Sequence, residues 1–551
     1  MWHNWSGEHS CQPQQKFYPQ SVDQVCDVVR LAKSTSTTIR AVGQGHSFSN
    51  ITATDGYMLY TDHLNKVTLG PELSEAKYGR CHYTVRAGPG ATVQEIDTLL
   101  EKHGLVIGSN ILLTSVRIGG IVATGSHGTG SEYSTISDRV YEISIVDADG
   151  TVRVYNEEQV DDEIMSAARV NLGLLGITTE IVLRVEVAGL VETTSQLMPV
   201  KSVFDADCLR NYLNNFSWLE FYWFPFSDQV LVKHSNRSSK PVADTGTHGW
   251  LRRWLLASCG WLGGSQPWIA KKLFYVRYLL ESLFTLLMAL MGGYLFQLNE
   301  DSWPNKVAKA VTGYSFRGSE LVHFAGSNNF FFFSLFTRVQ SLRYAVHYTT
   351  FIDYTPKVYN PECVIVFERN TDGHEKAAAA IAAAQQLVNH YWYDKEVEDK
   401  RVEDKRVEGK KATGSQTNDD GNNRQDAYTR GGMVPAIFGL NVRFTATSSC
   451  LLSPAYAADN RDNKLAMWIE FVTGPKADGC REFVDDFNEL MITKFGGNVH
   501  WPKTWYLRDA EMLRSNNKAR LSRFMAIRGQ LHVNSSASIF MTPTLSTIFD
   551  C

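Results

Sequence analysis

The sequence predicts an α+β chain of two domains. Three observations carry this. At 551 residues the chain is too long for one core. Its first third alternates short helical and strand patterns around glycine-rich loops. Its later part mixes aromatic strand runs with an Ala-rich helix. A hydrophobic content of 44% with 20% charged residues describes a globular chain.

The elements follow in order. Residues 21–32 place Val22, Val25, Val28, Val29 and Leu31 at helical spacing, with Ser21 as N-cap. Thr38–Val42 reads as a strand entering a loop. Thr92–Lys102 is a second amphipathic helix, and Leu105–Ile107 a short strand. Val140–Val146 and Thr151–Tyr155 flank Asp149-Gly150, a hairpin signal. A second region starts near residue 188. There Glu220–Pro225 is an aromatic strand, Ile365–Glu368 another, 374–390 an Ala-rich helix, 464–472 a strand and 480–494 a helix.

Two segments stand apart. Within 273–299, the run Ser282–Asn299 is uncharged and follows Arg252, Arg253, Lys271, Lys272 and Arg277. Its length is at the lower edge for a bilayer span, and Gly292-Gly293 weakens that reading. A buried helix and a membrane-docking segment remain the alternatives. Residues 397–411 repeat VEDKR, VEDKR, VEGKK, so 394–430 reads as a charged, mostly disordered insertion with nothing to bury; partner binding is the alternative.

A net charge of −4, with no basic stripe carrying aromatics, argues against nucleic-acid binding. Nine scattered cysteines without a Cys-x-x-Cys pair argue against structural zinc and a dense disulfide framework, and fit a reduced or mixed compartment. No metal site is expected. The first residues lack the basic and apolar regions of a signal peptide.

The chemistry concentrates in two loops, Val42-Gly43-Gln44-Gly45-His46-Ser47-Phe48-Ser49 and Gly125-Ser126-His127-Gly128-Thr129-Gly130. Glycine lets backbone N–H groups approach a phosphate or a flat ring. A nicotinamide fingerprint would need Gly where Phe48 stands, followed by a helix. A nucleophile elbow on Ser47 would need Gly where Ser49 stands. Both readings fail on those positions.

With Asn4-Trp5-Ser6-Gly7, Thr54-Asp55-Gly56, Val85-Arg86-Ala87-Gly88, Gly119-Gly120, Asn171–Ile177 and, far downstream, Gly497-Asn498-Val499-His500-Trp501-Pro502-Lys503, these loops resemble the vanillyl-alcohol oxidase superfamily, and within it the sugar-lactone oxidases. The likeness spans the first third well and the last third in patches. It implies a PCMH-type FAD-binding domain over 1–187 and a mixed α/β substrate (cap) domain over 188–551. It implies FAD bonded covalently through His46. Gly43, Gln44, Gly45 and Ser47 would surround that bond. Ser115, Gly119, Gly120, Thr124, Gly125, His127 and Gly128 would hold the pyrophosphate, and the Ile177 backbone would meet the adenine. Arg443, His500 and Lys503 would line the substrate face, where cationic donors stabilise a developing alkoxide.

The chain departs from the family pattern twice. Asn441 stands where the family has Glu, and Asn cannot take a proton. Ser109-Asn110-Ile111-Leu112-Leu113-Thr114 replaces a small residue beside the flavin, so bulky aliphatics face the oxygen path. The expected reaction is oxidation of an aldono-1,4-lactone to an ascorbate-type product with oxygen as acceptor. The alternatives are a dehydrogenase using a quinone or cytochrome, and a catalytically weak flavin-binding membrane protein. The resemblance implies membrane association, mitochondrial or at the endoplasmic reticulum, with a soluble cytoplasmic protein as runner-up.

Overall fold

The structure is a computed structural model. It describes residues 1–108, 111, 113–223, 229–240, 338–341, 359–392, 436–459, 461–473, 480–531 and 539–549. The expected apolar segment 273–299 and charged insertion 394–430 lie outside the described residues, as do Phe224, Pro225, Ser109, Asn110 and Leu112. Among the described residues no helix is long and apolar enough to cross a membrane.

The N-terminal region combines two sheets. Gln15–Phe17, Tyr57–Tyr60 and Ile39–Val42 form a small parallel sheet with Tyr57–Tyr60 in the middle. The helix Val22–Ser34 packs beside it, opened by Ser21, whose side chain accepts from the Gln24 N–H. Its buried face is Val25, Cys26, Val29 and Ala32; of the residues expected there, Val22 and Val28 are half-buried and Leu31 is exposed. The second sheet is antiparallel, in the order Val152–Asn156, Val140–Val146, Ile177–Val187, Tyr83–Ala87, Val67–Leu69, with Leu105–Val106 also beside Ile177–Val187. The hairpin around Asp149-Gly150 forms as its turn signal requires; Gly150 takes φ +72°, which suits a residue without Cβ. The helix Val93–Lys102 starts with a full capping box between Thr92 and Glu95.

The second region is built on one antiparallel sheet. Its spatial order is Arg338–Ser341, Leu190–Pro199, Gln229–Ser238, Trp218–Trp223, Ala436–Ala446, Lys464–Thr473, Glu362–Glu368, Asn498–Val499. Helices Ala206–Asn215, Thr371–Trp392 and Cys480–Glu489 contribute Leu209, Ile381 and Phe483 to the main core. The helix expected over 480–494 changes to a π-turn at Leu490–Lys494. That re-aims the chain before Asn498–Val499.

The two regions are not consecutive in sequence. Ile539 and Phe540 join the apolar cluster of Val25, Val29, Ile39 and Leu59. The Phe540 carbonyl accepts from Arg40, whose guanidinium also donates to the carbonyls of Ile51, Leu172 and Gly173. So the N-terminal region's core is completed from the far end of the chain.

Candidate functional site

A cavity of about 360 Å³ runs from the N-terminal loops to the large sheet. Its first wall is backbone. Gly43, Gln44, Gly45, His46 and Ser47 line it, and their N–H groups have no acceptor among the described residues. Gly45 sits at φ +67°, which turns successive N–H groups to one side as an anion nest requires. Gly119, Gly120, Thr124, His127 and Gly128 line the cavity as well. A Cβ at Gly120 would meet nothing within 4 Å, whereas at Gly119 it would reach 2.7 Å from Pro89 Cβ.

Three expected contacts differ. Ser115 and Gly125 do not line the cavity. Gly125 turns the chain at φ +68° instead, with Pro454 against it. Ile177 lies in a strand with its side chain in an apolar cluster; its neighbours Gly176 and Thr178 line the cavity in its place.

His46 is the imidazole that the first glycine loop brings to the cavity. Burial pulls its pKa down to about 4, so it is neutral at physiological pH. Its ring stacks on Trp5 at 5.0 Å and 19°. No hydrogen bond to the ring occurs among the described residues.

The opposite wall is charged. Strand alternation brings Glu220 and Tyr222, Asn441 and Arg443, and Trp468 and Glu470 to one face. The register makes a row across four strands: Tyr222, Asn441, Glu470, Glu362. Glu470 and Glu362 thus stand directly opposite each other, an arrangement that repels unless cations bridge it. Two do. Arg443 Nη2 donates to Glu362 at 2.6 Å and to Glu470 at 2.7 Å. Lys503 Nζ donates to Glu470 and lies 3.5 Å from Glu362. The four charges close into a buried, neutral ring. Burial opposes the charge on Glu362, but Lys503, His127 and Arg443 hold its carboxyl well below the usual range. Lys503 and Arg443 lower Glu470 against the same opposition. Burial likewise opposes Arg443, yet Glu470 and Glu362 raise its pKa.

Two histidines complete the wall. His500 Nδ1 donates to Glu362 at 2.6 Å, and burial lowers its pKa. His127 Nε2 reaches Glu362 at 3.2 Å and its ring stacks on Trp468 at 3.5 Å. Burial lowers its pKa to about 4. His127, Glu362 and His500 present ligand atoms within 4.8 Å of one another, a spacing that would suit a metal. Glu362 is already shared by Arg443 and Lys503, whose charges repel a further cation.

The structure brings Asn441, Arg443, His500 and Lys503 together, as expected. It adds Glu362, Glu470 and Glu220. Glu220 and Glu470 are acids inside apolar strand runs and Glu362 opens one, a placement that is the signal that could have found them. Asn441 donates to Glu470 at 3.4 Å, so the carboxylate missing at 441 is present on the adjacent strand. Asn441 Oδ1, His500 Nε2 and Arg443 Nε are buried without partners among the described residues. Ile111 and Leu113 line the cavity, on the side where aliphatics were expected to face the oxygen path.

A dinucleotide fits these walls: unspent N–H groups for its phosphates, a neutral imidazole at the far side of the loop, and a charged face beyond. Residues 13–156 match the family described as FAD binding domain. The L-gulonolactone oxidase of Bos taurus is 28% identical over 282 residues, 50% of this chain and 62% of that protein. The D-arabinono-1,4-lactone oxidase of Eremothecium gossypii is 29% identical over 262 residues, 47% and 48% of the two chains. The matched segments thus span 62% or less of these relatives' length. Cholesterol oxidase from B. sterolicum shares the fold, with a TM-score of 0.60 at 16% identity, over 100% of this chain and 96% of that one. The fold is mixed α+β and is shared with that oxidase, and the match over residues 13–156 supports FAD as the cofactor.

Proposed function

We propose that this chain is an FAD-dependent oxidoreductase that oxidises a CH–OH group of an aldono-1,4-lactone to an ascorbate-type product. The observation that carries the reading is the Arg443–Glu362–Lys503–Glu470 ring on the wall facing the glycine loops. FAD supplies the two-electron acceptor. Lys503 and Arg443 provide N–H donors for a substrate oxygen whose charge grows as its carbon loses hydride. Glu362 and Glu470 fix both cations in place before substrate arrives, so little reorganisation is left for the reaction. His500 and Asn441 shape the same wall. Sugar-lactone oxidases among the relatives support the substrate class.

Covalent attachment of FAD through His46 belongs to this reading. A neutral imidazole without a hydrogen bond has a lone pair to offer. Purified protein assayed with an artificial acceptor dye against L-gulono-, L-galactono- and D-arabinono-1,4-lactone tests the activity; no turnover of any of them overturns it. Flavin should stay in the acid pellet of the wild type and move to the supernatant with His46→Ala. Flavin bound covalently in that variant would assign the bond elsewhere.

Oxygen is the acceptor the oxidase relatives suggest. The second reading, a dehydrogenase passing electrons to a quinone or cytochrome, is favoured by Ile111 and Leu113 on the cavity wall. Stopped-flow reoxidation in air-saturated buffer separates the two. The uncharged run Ser282–Asn299 and the basic residues before it support docking at a membrane surface; vesicle flotation of the purified chain tests that.

A further inference from the structure

We propose that the N-terminal hairpin is the clamp that prepares His46 for its bond to the flavin, with Trp5 as the positioning residue. This rests on the covalent reading above. The hairpin pairs Trp2–His3 with Ser10–Cys11, and the loop between them lies on the His46 loop. Trp5 holds His46 twice. Its indole stacks on the imidazole at 5.0 Å and 19°, and its backbone N–H donates to the Gly45 carbonyl at 2.7 Å. Asn4 Nδ2 donates to the Ser47 carbonyl at 2.9 Å. Both residues flanking His46 are therefore tied to the hairpin.

The need for a clamp follows from what His46 lacks. Without a hydrogen bond, packing contacts alone select among the rotamers of the ring. Bond formation requires one ring nitrogen held at one carbon, and holding reactants in that geometry is worth orders of magnitude in rate. Stacking on a flat indole fixes the ring plane and leaves both nitrogens free, which a hydrogen bond would not. Burial under the indole also keeps the ring neutral, with its pKa near 4.

The step balances as follows. A nitrogen of His46 joins the methyl carbon on the isoalloxazine. That methyl loses one C–H proton and the imidazole its N–H proton. The two electrons pass into the ring system, and dioxygen removes them with two protons as hydrogen peroxide. Trp5 contributes no atom to the bond.

The test uses full-length apoprotein from flavin-limited cells, mixed with FAD in air. Acid-precipitable flavin is followed with time, and non-covalent binding is measured separately by flavin fluorescence quenching. Trp5→Ala should link about ten-fold more slowly or worse, with FAD binding retained. Trp5→Phe keeps a flat ring and should stay within about three-fold of wild type, while Trp5→Leu, apolar but not flat, should behave as Ala. Linkage in Trp5→Ala at the wild-type rate overturns the proposal. Should that variant fail to fold, equal rates in Trp5→Phe and Trp5→Leu overturn it instead. A wild type that never retains flavin in the pellet overturns the His46 reading itself, and the clamp with it.

Discussion

The two ends of the cavity solve the same problem with different materials. The glycine end offers a ligand backbone N–H groups, and its recognition elements are two short continuous stretches, Gly43–Ser47 and Gly119–Gly128. The sheet end offers charged side chains drawn from residues 362, 443, 470 and 503, on separate strands and a loop. A backbone nest keeps its dipoles whatever the pH or the neighbouring substitutions. A charge ring exists only while every member is present, since each carboxylate is bridged by both cations. The first end is robust and local; the second is cooperative and distributed.

The sharpest way to break that contrast is Glu362→Gln. It leaves Arg443 and Lys503 with Glu470 as their one anionic partner in the ring and, since an amide has a single oxygen, leaves one of the two histidines without its acceptor. Breaking a buried pair typically costs about 3–5 kcal/mol. Urea unfolding of the variant should show a loss of that order. A loss below about 1 kcal/mol would mean that the ring's members are held independently.

Next come the cations themselves. Arg443→Ala and Lys503→Ala should each lower lactone turnover by about 10²–10³ while leaving flavin content unchanged. Equal loss of flavin and turnover would merge the two ends that the comparison separates. Asn441→Glu, which would restore the family acid, should do harm here. It sets a third carboxylate in the row with Glu470 and Glu362, and turnover should fall about ten-fold through like-charge repulsion. A gain in turnover would show that position 441 acts apart from the ring.

At the glycine end, Gly45→Ala forces a Cβ onto a residue at φ +67°, with the Trp2 ring 3.1 Å away. The conformational cost is about 1–2 kcal/mol. FAD affinity measured by fluorescence titration should weaken by roughly ten-fold, with little salt dependence. The smallest effect belongs to Glu8 in the N-terminal hairpin loop. Burial raises its pKa to about 6, against the lowering effect of Tyr506 and Arg481. A raised carboxyl costs stability where the folded state must ionise, so the cost is absent below pH 4.5 and complete above pH 6. Glu8→Gln should therefore be more stable than wild type by about 1 kcal/mol at pH 8 and no more stable than wild type at pH 4. The same gain at both pH values would remove ionisation as its cause.

That contrast also explains what could be read from the sequence. Gly43–Ser47 and the Gly119–Gly128 stretch carry their geometry in their composition, so the cavity's first wall was legible. Helices with caps at Ser21 and Thr92, and the Asp149-Gly150 hairpin, were legible for the same local reason. Arg443, His500 and Lys503 were found through resemblance, not spacing. Glu362 and Glu470 were missed because their partners come from strand register, and register is set by packing of the whole sheet. Asn441 looked like a lost acid for the same reason. Only the adjacent strand reveals the carboxylate beside it. Ser115 and Gly125 do not line the cavity, since a loop's sequence does not say which of its residues faces inward, while Gly176 and Thr178 line it on either side of Ile177.

Arg40 and its carbonyl partners carry a consequence for biosynthesis. The strand that enters the glycine loop is braced by Phe540, 500 residues later in the chain. A ribosome making this protein emits Gly43–Ser47 long before it emits Ile539 and Phe540. The nascent N-terminal region must wait with an unfinished core and a guanidinium short of one acceptor. Closure of so distant a contact is slow and exposes apolar surface meanwhile. Residues 539 and 540 are thus part of what holds the glycine loop's strand, and a chain truncated before residue 539 should keep every glycine of the loop yet hold flavin more weakly.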